Sequence, residues 1–200
     1  MRSDRGQRLF DVVVAAGGLA ITAPIMIAIA FAVRASSRGP ALHRAQRVGR
    51  DGKPFTLLKF RSMRIDAAAT GPGITAFGDS RVTPVGRVIR RSKLDELPQL
   101  LNVIRGDMSI VGPRPEDARY VAQYSTEQRL ILTWRPGITS PASVTFRDEE
   151  RLLSGAGDLE QAYLSVMAKK ISIDLEYFPG ATMLGDVEWI GRTLQAIVRR

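Results

Sequence analysis

No cysteine occurs among the 200 residues, which excludes disulfides, thiolate metal sites and cysteine nucleophiles. His43 is the only histidine, so a histidine-rich zinc site is excluded too. A Ser-His-Asp hydrolase would have to rest on that single residue, which reads as an interfacial or turn histidine with no partner pattern. Neither a Walker A pattern nor Gly-x-Gly-x-x-Gly is present, so phosphate cradles of those kinds are absent. Aromatic residues make up 6% of the chain and no groove-reading motif accompanies them, which argues against nucleic acid as the partner. Carboxylates, hydroxyls, lysines and arginines must carry whatever chemistry there is.

Positive charge is what the chain has in excess. Lys and Arg number 29 against 20 Asp and Glu, a formal net charge of +9, which favours a polyanionic partner such as an anionic membrane surface or a phosphorylated substrate. The apolar run Val12 to Val33 contains no charge over 22 residues; as a helix it would be about 33 Å long, close to the thickness of a bilayer core. Arg2, Arg5 and Arg8 precede it as in a signal peptide, but the run exceeds a typical signal core and Arg34, Arg38, Arg44, Arg47 and Arg50 follow it. Basic flanks on both sides would both stay in the cytoplasm under the positive-inside rule. Pro24, near the middle, removes a backbone donor and clashes with the preceding turn, so a sharp bend is expected there. A re-entrant helix that enters and leaves by one face reconciles these features, with a kinked ordinary span as the alternative.

Beyond a turn at Ser36 to Pro40 the chain reads as α+β, mostly helical. Arg50-Asp51-Gly52-Lys53 between two strand-like segments predicts a β-hairpin. Thr70 to Asp79 reads as a loop. Thr83-Pro84 suits the start of a helix, and a second helix is expected from Pro98 to its stop at Gly106. Glu116–Tyr124 and Thr126–Trp134 read as short helices, Ile138 to Ala142 as a loop, and Leu159–Tyr177 and Met183–Val198 as longer helices. The apolar face of the last suits packing on the domain or lying on a bilayer as an interfacial helix.

The adjacent carboxylates Asp95 and Glu96 admit two readings. Acidic residues shortly before a helix-starting proline cap free N–H groups and offset the helix dipole. The same environment keeps a carboxylate ionised, able to attack phosphorus or to hold Mg²⁺, with Lys59, Arg90 and Arg114 available to offset phosphate charge.

Four segments in order carry a resemblance: Lys59 to Met63 (KFRSM), Leu94 to Val103 (LDELPQLLNV), Gly106 to Pro115 (GDMSIVGPRP) and Arg135 to Thr139 (RPGIT). They resemble the signatures of the bacterial sugar transferases, the small monotopic phosphoglycosyl transferases, over almost the whole chain. The resemblance implies transfer of a sugar 1-phosphate from a UDP-sugar to polyprenyl (undecaprenyl) phosphate with release of UMP, an early step of surface glycan synthesis. It implies Asp95 as nucleophile, Glu96 as its partner at a magnesium site, and a membrane helix bent at a Ser-Pro pair. Here that pair is Ala23-Pro24. After Thr139 the chain departs from the usual pattern, keeping only Ala142, Val144 and Arg147 in register.

In that frame Lys59, Arg90, Arg114 and Arg147 are the candidates for substrate phosphate. Lys59 and Arg90 also admit an ordinary surface reading, Arg147 a surface pair with Asp148 or Glu149, and Arg114 that of a rigid turn. Pro113 and Pro115 restrict the backbone around Arg114, and Asp107 is either a turn residue or part of the polar surroundings of the site. The expected organisation is a membrane helix with basic flanks over 1–38 and a catalytic domain over 39–200, on the cytoplasmic face of the bacterial inner membrane. A homo-oligomer is compatible with the sequence. The rival readings are a nucleic-acid binder, which the basic balance permits, and a non-enzymatic basic membrane adaptor, which leaves the four motifs without a use.

Overall fold

The computed structural model describes residues 3–68 and 73–199. Part of the loop expected over Thr70 to Asp79 lies outside them, as do Arg2 and Arg200. The fold is mostly helical with one long apolar N-terminal helix and two small two-stranded sheets.

Helix α1 runs from Asp4 to Ser36, capped by Ser3, whose hydroxyl accepts from Gly6 N–H at 3.1 Å. Its helical assignment continues through Pro24. Two residues earlier, Thr22 Oγ1 donates back to the Gly18 carbonyl at 2.6 Å, a contact that bends helices. Both ends of α1 rest on the same folded body. At the N-terminal end Asp11, fully buried, accepts from Ser109 Oγ and Ile110 N, both at 2.9 Å. Arg8 donates to the carbonyls of Val103 and Ile104, in the last turn of a helix described below, where cations offset the dipole. At the other end Ile29 and Val33 pack with Phe60 and Ile89, and Arg61 donates to the carbonyls of Val33, Ser37 and Arg38. One face of α1 packs on the body, with Ala15 fully buried, while apolar residues on its other face are exposed, Ile21 at 82% and Phe31 at 72%.

Strands β1 (Leu42–Val48) and β2 (Pro54–Phe60) form the expected antiparallel hairpin, with Leu42 opposite Phe60 and Val48 opposite Pro54. The chain reverses through Asp51 and Gly52, both left-handed at φ 57° and 75°, a conformation that Gly and, less readily, Asp accept. Helix α2 (Pro84–Arg91) starts where Thr83-Pro84 predicts, the Thr83 hydroxyl accepting from Gly86 N at 2.9 Å. Helix α3 (Gln99–Arg105) ends at Gly106 in the left-handed region, whose N–H bonds the Asn102 and Val103 carbonyls. Helices α4 (Ala118–Val121) and α5 (Thr126–Arg129) are shorter than expected, α5 being followed by a 3₁₀ turn over Leu130–Thr133.

The loop expected over Ile138 to Ala142 is instead ordered structure. Strand β3 (Ser109–Val111) pairs in parallel with β4 (Gly137–Thr139), and helix α6 (Pro141–Thr145) follows, capped by Ser140. The two backbones meet so closely that a Cβ on Gly137 would lie 2.0 Å from the Gly112 nitrogen, so both motif glycines are required by contact. Three-residue strands carry too little alternation to be read locally. Helix α7 (Glu149–Leu152) precedes α8 (Leu159–Tyr177) and α9 (Met183–Val198), both with the expected bounds. The main core gathers Val103, Met108 and Val111 with Tyr120, Ile131, Met167 and Phe178. Helix α9 rests on it through Trp189, against Tyr177, yet leaves Leu184, Val187, Leu194 and Val198 exposed.

Candidate functional site

Asp95 and Glu96 lie on a 3₁₀ turn, Leu94–Glu96, between α2 and α3. Lys93 enters it in the left-handed conformation, φ 57°. The capping reading of the pair does not hold: the N-cap of α3 is Pro98, and no side chain caps it. The turn instead buries Asp95 and brings Glu96 to cations from distant elements.

Glu96 Oε1 lies 3.2 Å from Arg114 Nη2 and 3.6 Å from Lys59 Nζ. Burial alone would raise the Glu96 carboxyl, but Arg114, Lys59 and Lys93 overcome it and hold the group well below the usual carboxylate range. Asp95 is shifted the other way: burial and then the charge of Glu96 raise it, against Lys59, Arg90 and Lys93. The pair thus divides into a carboxylate that its cations keep ionised and a more basic one. Burial also pulls Lys59 down, opposed by Glu96.

Each cation is held by its own device. Arg114 sits between the buried Pro113 and Pro115. The Pro113 carbonyl accepts from Gly137 N at 2.8 Å and the Glu116 carbonyl from Val48 N at 2.9 Å, which ties the loop to β4 and to the hairpin. Lys59 is the penultimate residue of β2. The outer edge of that strand is completed by a side chain: Asn102 Oδ1 accepts from Leu58 N at 3.0 Å while its Nδ2 donates to the Thr56 carbonyl at 2.7 Å. Asn102 therefore acts as a peptide group of a missing third strand, joining α3 to the strand that presents Lys59. Asp107 Oδ2 accepts from the same Nδ2 at 3.2 Å, so Asp107 is a turn residue that also orients Asn102. Sequence reasoning missed Asn102; its one signal was an amide in the apolar run Leu100 to Ile104.

Arg90, in the last turn of α2, donates to Ser62 Oγ at 3.4 Å and ion-pairs with Glu150 of α7. Arg147 pairs with Asp148 at 3.4 Å and is partly exposed. Pro24 lies inside α1. His43 is a strand residue, not a turn one, and stands directly opposite Lys59 in the hairpin register. Burial, then the charges of Lys59 and Arg47, lower its pKa.

The buried Asp95 Oδ1 has no hydrogen-bond partner among the described residues, and a buried carboxylate oxygen needs one. No group of three or more His, Cys, Asp or Glu gathers among the described residues. Two adjacent carboxylates therefore suit Mg²⁺, which keeps waters and takes substrate phosphate oxygens, and do not form an all-protein cage. A cleft of about 380 Å³ opens elsewhere, lined by Ile74, Arg119, Tyr120, Asp158 and Glu160, and contains none of these residues.

The family model for bacterial sugar transferases matches residues 2–200. The chain is 38% identical to a UDP-glucose:undecaprenyl-phosphate glucose-1-phosphate transferase of Caulobacter vibrioides, over 98% of this chain and 70% of that one. A protein of the same description from Escherichia coli is 36% identical over 94% of this chain but only 39% of its own length. A putative undecaprenyl-phosphate N-acetylgalactosaminyl 1-phosphate transferase of Bacillus subtilis is 44% identical over 60% of this chain and 68% of its own. With the family match running over residues 2–200, the protein belongs to the bacterial sugar transferase family.

Proposed function

We propose that the protein transfers a sugar 1-phosphate from a UDP-sugar to polyprenyl phosphate, undecaprenyl phosphate in its relatives, and releases UMP. The observation that carries this reading is the buried Asp95 beside a Glu96 fixed by Lys59 and Arg114. In the first half-reaction an Asp95 carboxylate oxygen attacks the phosphorus that bears the sugar. The bond to the bridging oxygen breaks and UMP leaves with the electron pair, so an aspartyl phosphosugar remains. In the second, an oxygen of the acceptor phosphate attacks the same phosphorus and returns the carboxylate. The acceptor oxygen is already anionic, so no histidine base is required.

Arg90 and Arg114 are suited to the donor diphosphate, Arg114 by a position locked through its neighbours' carbonyls. Lys59 and Arg114 keep Glu96 ionised and in place beside the nucleophile. Mg²⁺ held by Asp95 and Glu96 would offset negative charge on the diphosphate. Arg147, on the partly exposed segment after α6, is the weaker candidate for phosphate contact.

A membrane arrangement follows from α1. Its two ends dock on one folded body while apolar residues on its other face are exposed. A straight span would carry one end away from that body, so a bent helix entering and leaving on the cytoplasmic side fits better. The exposed apolar residues of α9 suit a helix lying in the same interface. A soluble donor and a lipid acceptor then share one shallow site at the surface of the inner membrane.

A panel of UDP-sugars scored for UMP release, with polyprenyl phosphate and Mg²⁺, tests the reaction and identifies the sugar. Asp95→Asn should abolish release while leaving membrane association intact. Absence of UMP with every donor would favour a basic membrane adaptor.

A further inference from the structure

After α6, which lies in the stretch where the chain departs from the usual pattern of its family, the chain returns to Arg90 through α7. Glu150 ion-pairs with Arg90, 60 residues away in sequence. Its carboxylate is 43% exposed, so the pair does not fill a core. Glu149, next to it, binds Lys170 of α8 at 2.9 Å. The Glu150 carbonyl accepts from Phe77 N at 3.0 Å, and the Arg151 guanidinium lies 5.5 Å from the Phe77 ring centroid. Helix α7 and the 73–79 loop are thus joined to each other and are fastened to α2 through Arg90. Arg90 belongs to the dyad's surroundings: it lies in the last turn of α2, the 3₁₀ turn that carries Asp95 and Glu96 follows that helix directly, and its guanidinium donates to Ser62 Oγ just beyond β2.

The geometry points to Glu150 as a residue that sets donor affinity, its carboxylate competing with the donor's diphosphate for the Arg90 guanidinium. This rests on the reading of Arg90 as a phosphate ligand. A guanidinium offers a planar fork that fits a carboxylate or a phosphate in the same geometry. Donor binding then exchanges one anion for another at Arg90, while α7 stays tied to α8 through Glu149 and Lys170 and the 73–79 loop stays tied through Arg81, which donates to the Ile74 carbonyl. The half-exposed carboxylate makes the exchange cheap, because an ion pair in contact with water is weak.

The test uses the full chain in nanodiscs, with UDP and Mg²⁺ as the probe, in a cycle of wild type, Glu150→Gln, Arg90→Ala and the double variant. Glu150→Gln should bind UDP about two- to fivefold tighter, the range for a solvent-exposed pair. The donor KM should fall by a similar factor with kcat unchanged. In the Arg90→Ala background the same substitution should leave UDP binding unaltered. Unchanged or weaker UDP binding by Glu150→Gln overturns the inference, and so does tightening that persists without Arg90, which would mark a general effect of charge. If wild type binds no UDP, the proposed function fails and this inference with it.

Discussion

Asn102 offers the sharpest test of how the site is held. Replacing it with leucine keeps approximate volume but removes both halves of the amide, leaving the Leu58 N–H and the Thr56 carbonyl facing an apolar group. Asn102 is fully buried and Leu58 is 5% exposed, so water cannot easily replace the lost partners. Each of the two orphaned groups costs about 1–3 kcal/mol, which gives a loss of about 2–6 kcal/mol. For a chain of this size the melting temperature falls about 2–4 °C per kcal/mol, a shift of roughly 4–24 °C in a thermal melt of detergent-solubilised protein. Asn102→Asp should be no milder. Its second oxygen would face the Thr56 carbonyl and Asp107, at the positions where Nδ2 now donates over 2.7 and 3.2 Å. Because Lys59 follows Leu58 directly, kcat should fall below the folding temperature as well. A shift under about 2 °C with transfer intact would refute the claim that this side chain completes the edge of β2.

Arg114→Met should lower transfer by about a hundredfold or more, because it removes a positioned cation from the site. It should also destabilise the fold by about 1–3 kcal/mol, since Glu96 loses the nearer of two partners in a buried setting; UMP release and a melt measure the two effects. Asp174 is pushed up to about 7 by burial, against hydrogen bonds from Ala142 N and Ser140 and the charge of Lys170. The native state therefore keeps a proton that the unfolded state has released, so stability should decline as pH rises from about 4 to about 7 and then level. Asp174→Asn should flatten that decline while still accepting from Ala142 N, whereas Asp174→Ala should cost about 1–3 kcal/mol; melts across pH distinguish them. Probes placed at the two ends of α1 in sealed vesicles should be accessible from one side only and the same side. A protected end would refute the bent helix.

Much of the fold was legible because its signals are local. Asp51-Gly52 fixes the hairpin, Thr83-Pro84 starts α2, Gly106 stops α3, and the bounds of α8 and α9 follow their apolar faces. What stayed hidden depends on partners far along the chain. The β3–β4 pair joins three-residue strands in parallel, and its requirement for Gly112 and Gly137 is a contact between backbones. Asn102 completes an edge more than forty residues away, and Asp11, at the border of the apolar run, is consumed by the start of β3. The carboxylate pair caps no N–H of α3, and Glu96 is held ionised by Arg114 and Lys59, which only the tertiary fold brings to it. Glu150 could not be found from sequence, since an acidic pair on a short polar helix looks like solvated surface.

The central claim is that Asp95 takes the phosphosugar before the lipid does. Purified protein mixed with its UDP-sugar and Mg²⁺ in the absence of polyprenyl phosphate, quenched and digested, should show by mass spectrometry a sugar phosphate on the peptide containing Asp95. One equivalent of UMP should be released, and the adduct should disappear on addition of the acceptor. An unmodified Asp95 peptide in enzyme that still transfers sugar phosphate when the lipid is present would contradict the account.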